Sequence, residues 1–357
     1  MIVETNRQTV FNLKADLPLS GELISQLFMS DPVEVNQKLS DARKISKYLF
    51  KASAKQVQFL EKQGTFHHLF HVITENEAEY FIKTNKALSP YRSYNFYTDQ
   101  WIMHQLSNAN LPAVRVLSVD CTRSRYPYDF IAMEKAQGQP LATIKENLTA
   151  YRNNITRLGV YLANIHSIAA EKFGMLDGLV LHQSNQCRGV MPTWDSYIYT
   201  NFEAHLNYCV SHGIFDSSIK NEIYNIFMDC HHEFDCLDSR LLQGDLNDYN
   251  VFVDEDDMVI IDWEDALAGD PVFDIALWGT FINHHENLDA LLKGYRTILP
   301  FPERFMLRYW LYYLRIIIAK TVLRQRFNYY KTDLIPALDR IHMPLNQIKQ
   351  LIQDQGL

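Results

Sequence analysis

The chain has 357 residues, 47% of them hydrophobic and 21% charged, which is enough apolar material for a large packed core and excludes a disordered or fibrous protein. Its length suggests about two domains. With 34 Lys and Arg against 42 Asp and Glu, it lacks the positive field that nucleic acid or anionic lipid demands, so neither is expected as a primary partner.

Glu4, Arg7, Lys14 and Asp16 interrupt the first twenty residues, so no signal-peptide core is expected there. Cys121, Cys187, Cys209, Cys230 and Cys236 are odd in number and form no C-x-x-C pair; a reducing compartment follows, and a cytoplasmic location is expected. Residues 1 to about 50 read as an appended helical segment, with Asp31-Pro32 as a cap and Val35, Leu39, Ala42, Ile45 and Leu49 near helical spacing. Short β-type runs are expected over 57–60, 69–74, 80–84, 114–119 and 128–133, with one helix over 93–108. After Gly138 the pattern turns helical over 155–168, 193–212, 215–236, 273–279 and 302–327. Only one strand pair is expected to break this half, 251–253 with 258–261. The joining Asp254-Glu255-Asp256-Asp257 reads as a solvated hairpin turn because the spacing of a calcium loop is absent. The division expected is a helical extension over 1–50, a strand-rich lobe over 51–134 and a helical lobe over 135–357. The apolar run 309–323 contains Arg315 and Lys320 and is too short to span ~30 Å of hydrocarbon, so it reads as a buried helix and no membrane partner is expected.

The chemistry concentrates in Gln243-Gly244-Asp245-Leu246-Asn247-Asp248-Tyr249-Asn250, followed by a hairpin and Ile261-Asp262-Trp263-Glu264. Phosphoryl transfer from a metal nucleotide needs a carboxylate that orients the acceptor hydroxyl and takes its proton, a role Asp245 can fill. It also needs oxygen ligands for a hard cation, which Asn250 and Asp262 can supply. Lys83 lies in the apolar strand Tyr80-Phe81-Ile82-Lys83; pointing inward, it requires an anion, and nucleotide phosphates are the fitting one. An edge-strand lysine facing water is the alternative.

The segment from Gln243 to Asn250 resembles the H-G-D-x-H-x-x-N loop of the aminoglycoside phosphotransferase and choline kinase superfamily, and Ile261-Asp262-Trp263-Glu264 resembles its I-D-W-E. Gly269-Asp270-Pro271-Val272-Phe273-Asp274-Ile275-Ala276 is similar to the G-D-P-x-x-D-x-A that follows, and Leu162-Ala163-Asn164-Ile165-His166 to an L-A-x-L-H helix end. The resemblance covers roughly residues 57 to 280. It implies an α+β, bilobal protein-kinase-like fold, with a small antiparallel-sheet N-lobe and a mostly helical C-lobe. The activity implied is ATP- or GTP-dependent phosphorylation of a small-molecule hydroxyl with Mg²⁺. Gln243 and Asn247 stand where the family has histidines, and hydrogen-bonding amides can take over their ordering role.

On the same template Asp274 braces the catalytic loop, and Asp99 is the acid that holds Lys83. Gly64 and Thr65 lie in the loop that covers the phosphates, and the main chain of Glu134 and Ala136 meets the adenine edge. Glu264, Asp265 and His285 are the candidates for the acceptor side. The acids there favour an amine-bearing acceptor such as an aminoglycoside, amino sugar or amino alcohol. The soft ligands around Cys230 read as helix residues rather than a zinc site, and most of the aromatic residues from Tyr309 to Tyr330 as helix core. Two other readings stay open at this level: a non-catalytic nucleotide- or partner-binding module of the same fold, and a kinase with a protein acceptor.

Overall fold

The computed structural model describes residues 30–51, 53–61, 67–86, 94–255, 257–281, 284–326 and 337–355. Gly64 and Thr65, most of the N-terminal extension (1–29), Asp256 and the aromatic residues Phe327, Tyr329 and Tyr330 lie outside the described residues.

Helix α1 (Pro32–Phe50) starts as its sequence dictates: Asp31 accepts the backbone N–H of Val33 at 2.9 Å, and Pro32 occupies the first turn, where its missing donor costs nothing. Val35, Ala42 and Ile45 recur on one face and pack on Phe70, Val72 and Ile82. Those residues belong to an antiparallel sheet of five strands, β1 (Ala54–Phe59), β2 (His67–Thr74), β3 (Glu79–Asn85), β4 (Val116–Asp120) and β5 (Phe130–Glu134), in the order β1-β2-β3-β5-β4. Strand side chains alternate between faces. Ile82 therefore enters the core under α1, and Lys83, paired in register with Leu69 and Ile131, emerges on the opposite face.

That opposite face meets helix α2 (Asn95–Asn108), which buries Asn95, Thr98 and Asp99 in its first turns and sends Ile102, Met103 and Leu106 into the main core. The C-lobe follows with β6 (Gln139–Pro140), α3 (Leu148–Ile165), β7 (Phe173–Leu176), α4 (Gly178–Ser184), β8 (Gly189–Met191), α5 (Trp194–Ile198), α6 (Phe202–Ser211), α7 (Ser217–Asp229) and β9 (Arg240–Leu242). Then come β10 (Val251–Val253), β11 (Met258–Ile260), β12 (Leu267–Gly269), α8 (Pro271–Gly279), α9 (Leu288–Tyr295), α10 (Phe305–Arg326) and α11 (Ala337–Gln355).

The expectation of a single strand pair in this half is corrected. Besides the β11-β10-β6 sheet there is a second one, β8-β7-β12-β9. Its strands are three or four residues long, too short to display an alternation, and their backbone pairing comes from distant segments. The run 193–212, expected as one helix, is two, with Asn201 in a left-handed conformation between them. Helix α10 is buried nearly all round, including Arg315, whose guanidinium donates to the carbonyls of Ile198 (2.8 Å) and Thr200 (2.7 Å). A buried charge survives there because main-chain oxygens replace its water. Among the described residues no helix is long and apolar enough to cross a membrane.

Candidate active site

The loop that follows β9 is held from beneath. Asp274, in the first turn of α8 and fully buried, accepts the backbone N–H of Gln243 (2.5 Å) through Oδ2 and that of Gly244 (3.0 Å) through Oδ1. His166, at the end of α3, lies 3.3 Å from the same carboxylate and 3.0 Å from the Tyr295 hydroxyl. Gly244 has φ +81°, and a Cβ there would sit 1.9 Å from the carbonyl oxygen of Asp265; both facts restrict the position to glycine.

The two amides at the family's histidine positions do ordering work. The Gln243 side chain accepts the N–H of Asp245 at 2.7 Å and donates to the carbonyl of Asp262 at 2.9 Å. Asn247 donates to the carbonyl of Asp245 at 2.9 Å and accepts the N–H of Tyr249. Asn250 donates to that same Asp245 carbonyl at 3.0 Å, and its own carbonyl accepts the N–H of Ile261 at 2.9 Å. These bonds bring Asp245, Asn250 and Asp262 together from two segments. With its amide nitrogen committed, Asn250 keeps its side-chain oxygen without a hydrogen bond from any described residue. Asp248 is tied down separately by Tyr151 (2.7 Å), Lys145 (2.8 Å) and His284 (2.9 Å). Burial works to raise its pKa, but His284 and Lys145 prevail and hold it below the usual carboxylate value.

From the N-lobe, Lys83 reaches Asp262 Oδ1 at 2.7 Å and Glu264 Oε2 at 3.3 Å. Burial alone would lower the lysine's pKa; the carboxylates of Asp262, Glu264 and Asp99 override it and raise it well above the ordinary value. Asp262 has φ +63°, a costly conformation for a non-glycine residue and one that clusters at functional sites. It is partly exposed, whereas Glu264 is nearly enclosed and also contacts Asn95 (2.8 Å) and His67 (3.3 Å). Asp99 is buried and accepts the backbone N–H of Trp263 at 2.7 Å, fixing the turn next to Asp262; its other oxygen has no hydrogen-bond partner among the described residues. Burial, with the charges of Asp262 and Glu264 adding to it and Lys83 opposing, pushes its pKa up to about 7.

One expectation is therefore corrected. Asp99 does not hold Lys83 directly: its short side chain is spent on Trp263, and Asp262 and Glu264 hold the lysine instead. Glu264 lies in the lysine's cluster. His285 is exposed, its ring against Trp310, while the neighbouring His284 turns inward to Asp248. Asp265 is half-buried beside Gly244. Glu134 closes β5 with its side chain on Arg115, and Ala136 is buried just beyond.

Sequence reading missed Lys320, which carries no motif. From α10 its ammonium donates to Thr280 Oγ1 at 2.7 Å and lies 3.7 Å from the centre of the Phe281 ring, within electrostatic reach of Asp245.

A lysine from a small antiparallel sheet, facing an Asp, Asn and Asp set on a loop and hairpin of a helical lobe, defines a protein-kinase-like phosphotransferase. The model of the phosphotransferase enzyme family matches residues 62–305, and the chain belongs to that family, which makes it a small-molecule kinase. Among solved structures, a thermostable mutant of the aminoglycoside phosphotransferase APH(4)-Ia is similar over 88% of this chain and 99% of its own, with 17% identity and a TM-score of 0.59. A protein assigned as a fructosamine-3-kinase from Thermobifida fusca is similar over 87% and 98%, with 17% identity and a TM-score of 0.60. Spectinomycin phosphotransferase APH(9)-Ia, solved with ADP and spectinomycin, covers 89% and 98% at 15% identity and a TM-score of 0.54. At these identities the likeness establishes the fold. No curated protein matches the sequence.

Proposed function

We propose that the chain transfers the γ-phosphoryl group of ATP to a hydroxyl of a small molecule, with Asp245 as the base. The single observation that carries this reading is the convergence of Lys83, Asp262, Asn250 and Asp245 through the bonds of Gln243 and the 2.7 Å ion pair between lobes. Mg²⁺ fits the donor set: the unengaged side-chain oxygen of Asn250 and the partly exposed Asp262 carboxylate are hard oxygen ligands, and these two residues would hold it. Bound there, the ion would offset charge on the phosphate oxygens.

The chain's own residues do the rest. Lys83 meets the nucleotide phosphates, its charge secured by the surrounding carboxylates. The main chain of Glu134 and Ala136 holds the base, and covering those phosphates is the role proposed from sequence for Gly64 and Thr65. Asp99 and Gln243 keep Asp262 in its left-handed conformation. Asp245 orients the acceptor hydroxyl and accepts its proton, and the Asp265 backbone lies beside Gly244 of that loop.

Turnover of Mg·ATP by the full chain against a broad panel of alcohols tests the reading. Asp245→Asn is expected to lower kcat by about 10²–10⁴ while the melting temperature holds. Unchanged transfer by a folded Asp245→Asn protein overturns it, and nucleotide-protected melting without any turnover favours a non-catalytic module.

A further inference from the structure

We propose that Lys320 reads the acceptor, and that the acceptor is an alcohol carrying an anionic group, a carboxylate or a phosphate. This rests on the phosphotransferase reading above and reverses the amine-bearing acceptor expected from the acids of the cleft.

The geometry around the ammonium is the first support. Lys320 has three N–H donors, yet one hydroxyl, Thr280 Oγ1, and the face of Phe281 make up its surroundings. Among the described residues no carboxylate forms an ion pair with it. Lys83, by contrast, has Asp262, and the buried Lys38 of α1 has Glu34. A half-buried ammonium that meets one hydroxyl and an aromatic face, with no ion pair, keeps donors that an incoming anion can take.

The charges nearby are the second. Arg324 lies one turn further along α10, and the buried guanidinium of Arg340 donates to the carbonyl of Thr280 at 2.8 Å. Burial first, and then the charge of Arg324, lower the pKa of Lys320 to about 7, against the pull of Asp245; an anion at this position would reverse that shift. An amine there would add another positive charge to the three already present. Of the acids expected to attract such an amine, Glu264 is already engaged by Lys83.

The position is the third. Lys320 lies over Phe281, whose ring meets His284, and His284 holds Asp248 of the loop that carries Asp245; a group held by Lys320 therefore approaches from the acceptor side of that loop. In the transfer the acceptor O–H bond breaks and its proton goes to Asp245. The acceptor oxygen bonds to the γ-phosphorus, the bond from that phosphorus to the β–γ bridging oxygen breaks, and ADP leaves. The anionic group on Lys320 is unchanged throughout.

The test uses the full chain with Mg·ATP and matched neutral, amine-bearing, carboxylate and phosphate derivatives of hexoses, pentoses and glycerol. We expect kcat/KM for the carboxylate or the phosphate members to exceed the others at least about tenfold, the two arms identifying which anion is read. Lys320→Met should erase that preference through KM, Lys320→Gln should do the same while keeping a donor for Thr280, and Lys320→Arg should retain most of it. A preference for neutral or amine-bearing members, or an anion preference that survives Lys320→Met and Lys320→Gln, overturns the proposal. Melting with Mg·ADP separates it from the reading beneath. No shift with nucleotide and no turnover sink the phosphotransferase reading itself. A nucleotide shift that no anionic member increases sinks the role of Lys320 alone.

Discussion

Gln243 bonds Asp262 directly: its side-chain amide donates to the Asp262 carbonyl at 2.9 Å, while its oxygen accepts the N–H of Asp245 at 2.7 Å. One buried carboxamide thus spans the loop of Asp245 and the turn of Asp262. Gln243→Leu leaves a buried N–H and a buried carbonyl unpaired, at about 1–3 kcal/mol each. We expect a lower urea midpoint and a fall in kcat on the order of 10²-fold from misplacement of Asp245. Gln243→Glu, able to accept but not to donate when ionised, should fall between. Wild-type kcat in a folded Gln243→Leu protein would show that the clamp is dispensable.

Gly244→Ala tests the close approach of the loop to Asp265. The added Cβ meets a backbone oxygen at 1.9 Å in a left-handed conformation, so the loop must move. Strain of about 1–3 kcal/mol is expected, with kcat reduced and nucleotide-induced melting preserved, because Lys83 is not on this loop. Chemical denaturation with and without Mg·ADP reads both effects.

Lys83→Met removes the cation that three carboxylates surround. The stability lost is expected to be about 3 kcal/mol or less, below the cost for a fully buried pair, because Asp262 is partly open to water. The nucleotide-induced melting shift should vanish. A Lys83→Met protein that is stabilised by Mg·ADP as the wild type is would remove this lysine from the nucleotide site.

His68, under α1, has a pKa lowered to about 3, by burial first and then by the charges of Lys38 and Lys86. Its Nδ1 lies 3.3 Å from the Lys38 ammonium, which favours the neutral ring. The folded value lies below the unfolded one, so the unfolded chain binds the extra proton. Stability is therefore fully present above about pH 6.5 and is lost as pH falls from there toward 3. His68→Leu should flatten this acid limb. Thermal melts between pH 4 and 7.5 measure it, and parallel limbs for both proteins would contradict the assignment.

Local pattern made much of this molecule readable. The cap at Asp31-Pro32 acts on its own helix, and the Asp245, Asn250 and Asp262 spacing is short enough for one loop and one hairpin to deliver all three. Alternation in β3 already separates Ile82 from Lys83. The short strands of the second C-lobe sheet were not readable, since three residues carry no period and their partners lie far away in the chain.

What the sequence by itself determined was the class of enzyme, because its loop and hairpin motifs resemble those of the phosphotransferase family to which the chain belongs. The tertiary structure alone decided which side chain meets which. Lys83 and Asp262 are 179 positions apart, Asp99 turns to the Trp263 backbone rather than to the lysine, and Lys320 arrives from a helix without any motif. Burial and charge act through space, and neighbours in space are set by packing rather than by order along the chain.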